Sequence, residues 1–340
     1  MTNPVRVVIV DDSPSMLMTL NRILSADPEI EVVGMAPEPH AARAMIKELN
    51  PDVVTLDVEM PGMDGLSFLE KIMRLRPMPV VMCSTLTSRG TEVTIEALRL
   101  GAVDCIAKPS GNPLEIARDA ALLRKTVKVA ARSRVRQSGS TMPVRAAESG
   151  APFRDVVIAI GSSTGGVEAL FSLIAGLPAD CPPVLIVQHM PAGFTGGFAA
   201  RLNSVCTVNV VEAVDGAPIE AGTVYIAPGG GQHMELSPGH RRIRLRAGDP
   251  VGGHRPSVDV LFHSVARSGV DAVGVILTGM GADGAEGLLA MRRAGARTLG
   301  QSQETCVVYG MPRAAFEMGA VERQLSLSAM REAILAACRS

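Results

Sequence analysis

The sequence predicts two successive α/β domains, each built on a largely parallel sheet. Three observations carry that expectation. The chain has 340 residues, too many for one average domain and comfortable for two of roughly 100 to 200 residues each. Short apolar runs alternate with segments of helical length, which is the rhythm of βαβ units. Past residue 124 the composition turns polar, and Lys125, Lys128, Arg132, Arg134, Arg136 and Arg145 face only Glu148, which reads as a linker.

In chain order, strands are expected at residues 5–10, 30–34, 53–56, 80–83 and 103–107. Helices are expected between them, for instance over 15–25 and 66–74, with a last one near 113–123. The first domain is therefore placed at 1–124 and the linker at 125–152. A second series opens at residue 153, with strands at 156–160, 184–187, 208–214, 224–227, 243–246, 272–277 and 297–300. It closes on a helix over 328–337 and is taken to run to residue 340. The halves share this rhythm without repeating each other, so two different domains are expected.

Composition narrows the function. Hydrophobic residues make up 47% of the chain, yet the apolar runs are far shorter than the roughly 20 residues of a membrane span. The opening MTNPVRVVIVDD enters a strand pattern without a basic segment and long apolar region, so the cytoplasm is the expected compartment. Six scattered cysteines form no C-x-x-C pair, which suggests buried thiols and neither a zinc site nor a disulfide framework. A net charge of −1, no Trp and 3% aromatics leave little for base stacking or phosphate tracking, so nucleic acid is not expected as a partner.

Functional groups in an open parallel sheet collect just beyond the carboxyl ends of its strands. In the first domain VVIVDDS sets Asp11 and Asp12 after the first strand, and VVTLD sets Asp57 after the third. VVMCS sets Ser84 after the fourth, and CIAKP sets Lys108 after the fifth. Asp12 or Ser84 alone would read as a turn former or helix cap; five polar groups at successive strand ends read as a site. Three clustered carboxylates call for a hard divalent cation, most naturally Mg²⁺. Phosphoryl transfer to a carboxylate needs positioning and charge stabilisation, which a metal, the Ser84 hydroxyl and the Lys108 ammonium supply together.

With MPGMDG (60–65) and the Lys108-Pro109 step, residues 4–124 resemble response-regulator receiver domains. The resemblance implies a flavodoxin-like fold with a five-stranded parallel sheet. It also implies that Asp57 accepts phosphate from a histidine kinase, with Mg²⁺ held at Asp11, Asp12 and Asp57. GMAPEPH (34–40) departs from the family, with two prolines where an acidic, glycine-bearing turn is usual.

In the second domain the strand DVVIAI runs into GSSTGG (161–166), which fits G-x-S-x-G around Ser163. A serine on a tight strand-to-helix turn presents its hydroxyl as a nucleophile requires. The same glycines would equally suit a phosphate-cradling loop. The next strand ends favour the nucleophile, because His189 follows VLIVQ directly and Asp283 lies just past VGVILTGMGA. A neutral His189 would take the Ser163 proton, and Asp283 would fix its tautomer. Asp259 is the alternative acid. His40, His240 and His263 look unremarkable, whereas His233 and His254 stand near glycine-rich loops. The Thr164 N–H and a group at Met280 are the candidates for an oxyanion hole.

GSSTGG, QHMP (188–191), APGG (227–230), RPSVD (255–259), LTGMGADG (277–284) and YGMP (309–312) occur in this order. Together with the receiver they resemble the chemotaxis response-regulator protein-glutamate methylesterases, the CheB family, from residue 4 to about 335. This implies phosphorylation-regulated hydrolysis of glutamate methyl esters on chemoreceptor cytoplasmic domains, with glutamine deamidation beside it. It matches Ser163, His189 and Asp283 to the family's triad and asks for no cofactor at the esterase site. It further implies a doubly wound, mainly parallel α/β hydrolase domain and a cytoplasmic protein recruited to chemoreceptor arrays. An unphosphorylated receiver would lie across the Ser163 cleft. The rival readings are a phosphorylation-gated transcription regulator using the basic linker, and a nucleotide-binding domain using GSSTGG.

Overall fold

Runs of Val and Ile, whose branched side chains suit a pleated surface covered on both faces, form most strands in both halves of the chain. The computed structural model describes residues 3–60, 64–85, 87–109, 113–133, 135, 152–239 and 241–339. Its internal contacts divide the chain into two units, Met1–Ser140 and Thr141–Ser340.

In the first unit, strands β1 (Val5–Val10), β2 (Ile30–Ala36), β3 (Val53–Asp57), β4 (Val80–Ser84) and β5 (Asp104–Ala107) form one sheet in the order β2-β1-β3-β4-β5. Every pairing is parallel. The crossovers are helices α1 (Pro14–Ser25), α2 (Pro39–Leu49), α3 (Gly65–Leu75) and α4 (Ser88–Arg99), and α5 (Pro113–Ala130) follows β5. Ser13, Asp64 and Thr87 cap α1, α3 and α4 by accepting backbone N–H groups, as short polar side chains do at helix starts. Pro39 opens α2 at its first turn, where a missing N–H costs nothing. The expected end of the last helix near residue 123 is too early. Leu123, Val127 and Ala130 are fully buried at helical spacing, so the apolar stripe carries α5 through residues assigned above to the linker. Most of that expected linker, 134 and 136–151, lies outside the described residues.

In the second unit, seven strands lie in the order β14-β13-β12-β6-β7-β9-β8. They are β6 (Val156–Ser162), β7 (Val184–Gln188), β8 (Asn209–Glu212), β9 (Thr223–Ile226), β12 (Asp271–Ile276), β13 (Arg297–Gln301) and β14 (Arg323–Leu325). All six pairings in this sheet are parallel. The expected strand at 243–246 is not part of it. β11 (Ile243–Ala247) pairs antiparallel with β10 (Gln232–Leu236) in a separate two-stranded sheet, because a short connection between neighbouring strands closes a hairpin and leaves no room for a crossover. Helices α6 (Gly166–Ile174), α7 (Thr195–Asn203), α8 (Val258–Arg267), α9 (Ala285–Arg293), α10 (Met311–Glu317) and α11 (Leu327–Ala337) complete the unit. α8 packs on α9 and β10, and α6 packs on α11. Phe194, Phe198 and Phe262 are fully buried in the core. Because the chain winds from β6 outward through β7 and later returns through β12, the strand order reverses beside β6. That crevice is where an open sheet places its ligand. Among the described residues no helix is long and apolar enough to cross a membrane.

Candidate functional sites

The first unit has its own reversal, between β1 and β3, and acidic residues fill it. Asp57 is the last residue of β3 and Asp11 follows β1; both are buried, while Asp12 is exposed. One oxygen from each of the three carboxylates lies within 4.8 Å of the others. Lys108, directly after β5, sets its ammonium 2.8 Å from Asp11 Oδ2 and 2.8 Å from Asp57 Oδ2. Burial pushes the Asp57 carboxyl up; Lys108 opposes this and the neighbouring Asp11 charge adds to it. Ser84 ends β4 as a buried hydroxyl, and its carbonyl accepts the Lys108 N–H at 2.9 Å. Gly65 stands against the end of β3, where a Cβ would sit 2.0 Å from the Asp57 carbonyl oxygen. Three carboxylates against one ammonium leave an excess of negative charge on hard oxygen donors, a set that fits Mg²⁺.

The second site forms around β6. Ser163 follows this strand and is 8% exposed. The turn is held on both sides: the Ser163 N–H donates to the Thr278 carbonyl at 3.0 Å, and Gly166 N–H donates to the Ser163 carbonyl at 2.7 Å. Gly165 caps α6 at φ +77, a left-handed conformation that glycine adopts without a Cβ penalty. Buried Gln188, the last residue of β7, ties the neighbouring strand ends together. Its Oε1 accepts from Ser162 Oγ at 2.6 Å, and its Nε2 donates to the carbonyls of Ser163 at 3.0 Å and His189 at 2.8 Å. Since Ser162 and Gln188 are register partners, Ser163 and His189 leave adjacent strands side by side.

His189 and Asp283 are in contact, with Nε2 2.8 Å from Asp283 Oδ2. The other ring nitrogen, Nδ1, is buried and has no hydrogen-bond partner among the described residues. The His254 ring stacks on His189, with centroids 3.9 Å apart and planes 2° from parallel. Asp283 sits at the N-terminus of α8. Its Oδ1 accepts from Ser257 Oγ at 2.8 Å and Asp259 N–H at 3.0 Å, and its Oδ2 accepts from Val258 N–H at 2.8 Å. Burial alone would raise this carboxyl, but His189 and the backbone donors outweigh it and hold Asp283 down at about 2.

Asp259, the alternative acid, accepts the Gly287 N–H at 2.7 Å; burial pushes its carboxyl up, the Gly287 N–H opposes this and the neighbouring Asp283 charge adds to it. Of the two oxyanion candidates, Thr164 accepts the Thr278 hydroxyl on its carbonyl at 3.0 Å. Met280 belongs to a loop that reaches Ser163, since a Cβ on Gly279 would lie 2.8 Å from Ser163 Cβ. His40 is exposed and His263 half-buried on α8, while His240 lies outside the described residues. Sequence reasoning did not single out Gln188, Ser257 or Gln301, whose Oε1 accepts the Thr278 N–H at 2.8 Å. Ser257 carried a signal: it stands at an N-cap position before an apolar helical run.

Comparison with known proteins gives two family matches. Residues 158–334 match the CheB methylesterase model, and residues 7–118 match the response regulator receiver domain model. The chain is 59% identical over 336 residues to "Protein-glutamate methylesterase/protein-glutamine glutaminase 1" of Caulobacter vibrioides, covering 97% of each chain. It is 56% identical to "Protein-glutamate methylesterase/protein-glutamine glutaminase" of Rhizobium etli, covering 98% of this chain and 97% of that one. Among solved structures, the Thermotoga maritima CheB methylesterase catalytic domain aligns with a TM-score of 0.51 at 37% identity, over 53% of this chain and 97% of its own.

Proposed function

The chain belongs to the CheB methylesterase family, and from that premise we propose a mechanism in which Ser163, His189 and Asp283 carry the chemistry. The protein is a protein-glutamate methylesterase and protein-glutamine glutaminase with a phosphorylation-responsive receiver domain. The observation that carries the mechanism is the His189 ring, bound to Asp283 through Nε2, with a buried Nδ1 that has no hydrogen-bond partner among the described residues, on the strand end beside Ser163. Asp283 accepts the Nε2–H, so Nδ1 holds the lone pair that receives the Ser163 proton. Ser163 Oγ then bonds to the ester carbonyl carbon, and the oxyanion faces the Thr164 and Met280 loops. His189 returns the proton to the leaving methoxide, methanol departs, and water releases the glutamate from the acyl-enzyme by the same steps. Glutamine follows the same course with ammonia as the leaving group.

In the receiver, Asp57 is the proposed phosphoryl acceptor and a histidine kinase the donor. Asp11, Asp12 and Asp57 would hold Mg²⁺, which supplies charge neutralisation for the incoming phosphoryl group. Ser84 and Lys108 stabilise its remaining oxygens. The substrates are methylated chemoreceptor cytoplasmic domains, and the place of action is the cytoplasmic receptor array. The test is methanol release from methylated receptor membranes. Ser163→Ala is expected to lose at least about 10³-fold in kcat; a variant as active as the native protein would sink the mechanism.

A further inference from the structure

His233 is not among the groups assigned to the reaction, yet each of its ring nitrogens has a defined partner. It lies on β10 and is 1% exposed. Its Nε2 is 2.9 Å from the Asp249 carbonyl oxygen, and its Nδ1 accepts the Ser257 backbone N–H at 3.2 Å. A carbonyl only accepts, so Nε2 carries the hydrogen; an amide N–H only donates, so Nδ1 keeps its lone pair. The neutral Nε2–H ring is the one form that satisfies both partners. An imidazolium would set Nδ1–H against the Ser257 N–H where water does not reach, leaving a buried donor unmet.

Ser257 is the N-cap of α8, extended at φ −109 and ψ 139. Its amide precedes the helix, and no bond within the helix serves it. His233 is what holds it. From Ser257 onward the path runs straight to the reaction: Ser257 Oγ, Val258 N–H and Asp259 N–H all donate to Asp283, and Asp283 holds His189.

We propose that His233 is a positioning residue of the hydrolytic site, whose Nδ1 fixes the Ser257 amide and thereby the helix terminus that orients Asp283. The proposal rests on the Ser163, His189 and Asp283 reading above. It differs from a general packing role in one respect, because the acceptor at Nδ1 matters and the donor at Nε2 does not. Asparagine can present an amide oxygen near the place of Nδ1, whereas glutamine reaches toward Nε2 and leaves the Ser257 N–H unmet.

The experiment measures kcat and KM for methanol release from methylated receptor membranes by the full-length H233Q and H233N proteins, alongside their thermal melts. H233Q is expected to lose at least about tenfold in kcat, the scale of one buried hydrogen bond, with KM changed less than about twofold. H233N is expected to recover most of that loss. Native kcat in H233Q, or equal loss in both variants, would overturn the proposal. Should H233Q not fold, nitrogen NMR of the native protein at neutral pH decides. A neutral, Nε2-protonated His233 supports the proposal, and a cationic or Nδ1-protonated ring overturns it. A Ser163→Ala control that kept its activity would instead overturn the triad reading, so the two failures are distinguishable.

Discussion

The Asp283 carboxylate receives Ser257 Oγ and Asp259 N–H on one oxygen and Val258 N–H and His189 Nε2 on the other. An anion at a helix N-terminus is favoured by the helix dipole as well as by its hydrogen bonds. Burial alone would raise this carboxyl, and His189 together with the Asp259 and Val258 N–H groups brings it down to about 2. A carboxyl whose folded-state value lies below its unfolded value of about 3.9 stabilises the fold above that pH. The stabilisation is lost as the pH drops through about 2. Asp283→Asn puts an amide N–H₂ against donors on whichever oxygen it replaces. The variant is expected to be less stable at neutral pH by roughly 2 to 4 kcal/mol, and its deficit should shrink steadily as the pH falls from about 4 toward 2. Urea unfolding of both proteins across that range measures it, and a deficit independent of pH would contradict the assignment. Methanol release by the same variant should fall about 10³- to 10⁴-fold, since an asparagine no longer holds His189 in the tautomer that leaves Nδ1 free to accept.

At the scale of elements, the site depends on how closely the 278–281 loop approaches the turn after β6. A methyl at Gly279 would meet Met311 Sδ at 2.3 Å and Ser163 Cβ at 2.8 Å, and Met311 is itself fully buried. Gly279→Ala is expected to destabilise by roughly 1 to 3 kcal/mol, as overpacking does. It should also lower kcat by up to about 10²-fold through misplacement of the nucleophile. A melt combined with methanol release tests both, and an unchanged kcat would detach this loop from the site. The same elements show what the sequence could reveal. Central strands such as β6 and β7 were legible because burial on both faces makes them unbroken apolar runs, and the polar residues ending them mark the crevice. β10 and β14 were not: QHMEL is polar enough to pass for a loop, and RQL is three residues on a sheet edge. Ser257 and Gln188 were missed because their work is to hold backbone amides and carbonyls, and the identity of a cap or tether depends on what the fold brings to it. Neither does spacing indicate which nitrogen of His189 faces Asp283, because both ring atoms belong to one letter of the sequence.

At the scale of the whole molecule, the first and last described residues of the second unit meet one another. The Arg154 N–H donates to the Cys338 carbonyl at 3.0 Å, and its guanidinium donates to the Ala337 carbonyl and to Asp271 Oδ2, each at 3.1 Å. The Arg339 guanidinium lies 4.6 Å from the Phe153 ring centroid, within the range of a cation–π contact. A fragment of residues 152–340 keeps all of these, and one of residues 155–340 loses them. The shorter fragment is expected to be less stable by roughly 2 to 4 kcal/mol, the sum of three modest hydrogen bonds and one cation–π contact, read as a lower urea midpoint. Every group assigned to the hydrolysis lies inside this unit, whereas Asp57, Ser84 and Lys108 lie in the other. If the receiver restrains the esterase until Asp57 is phosphorylated, the 152–340 fragment should release methanol at least as fast as the resting full-length protein. A small phosphodonor with Mg²⁺ should accelerate the full-length protein alone, and Asp57→Ala should abolish that acceleration without lowering the resting rate. A fragment slower than the resting protein would mean that the receiver supports the esterase and does not restrain it.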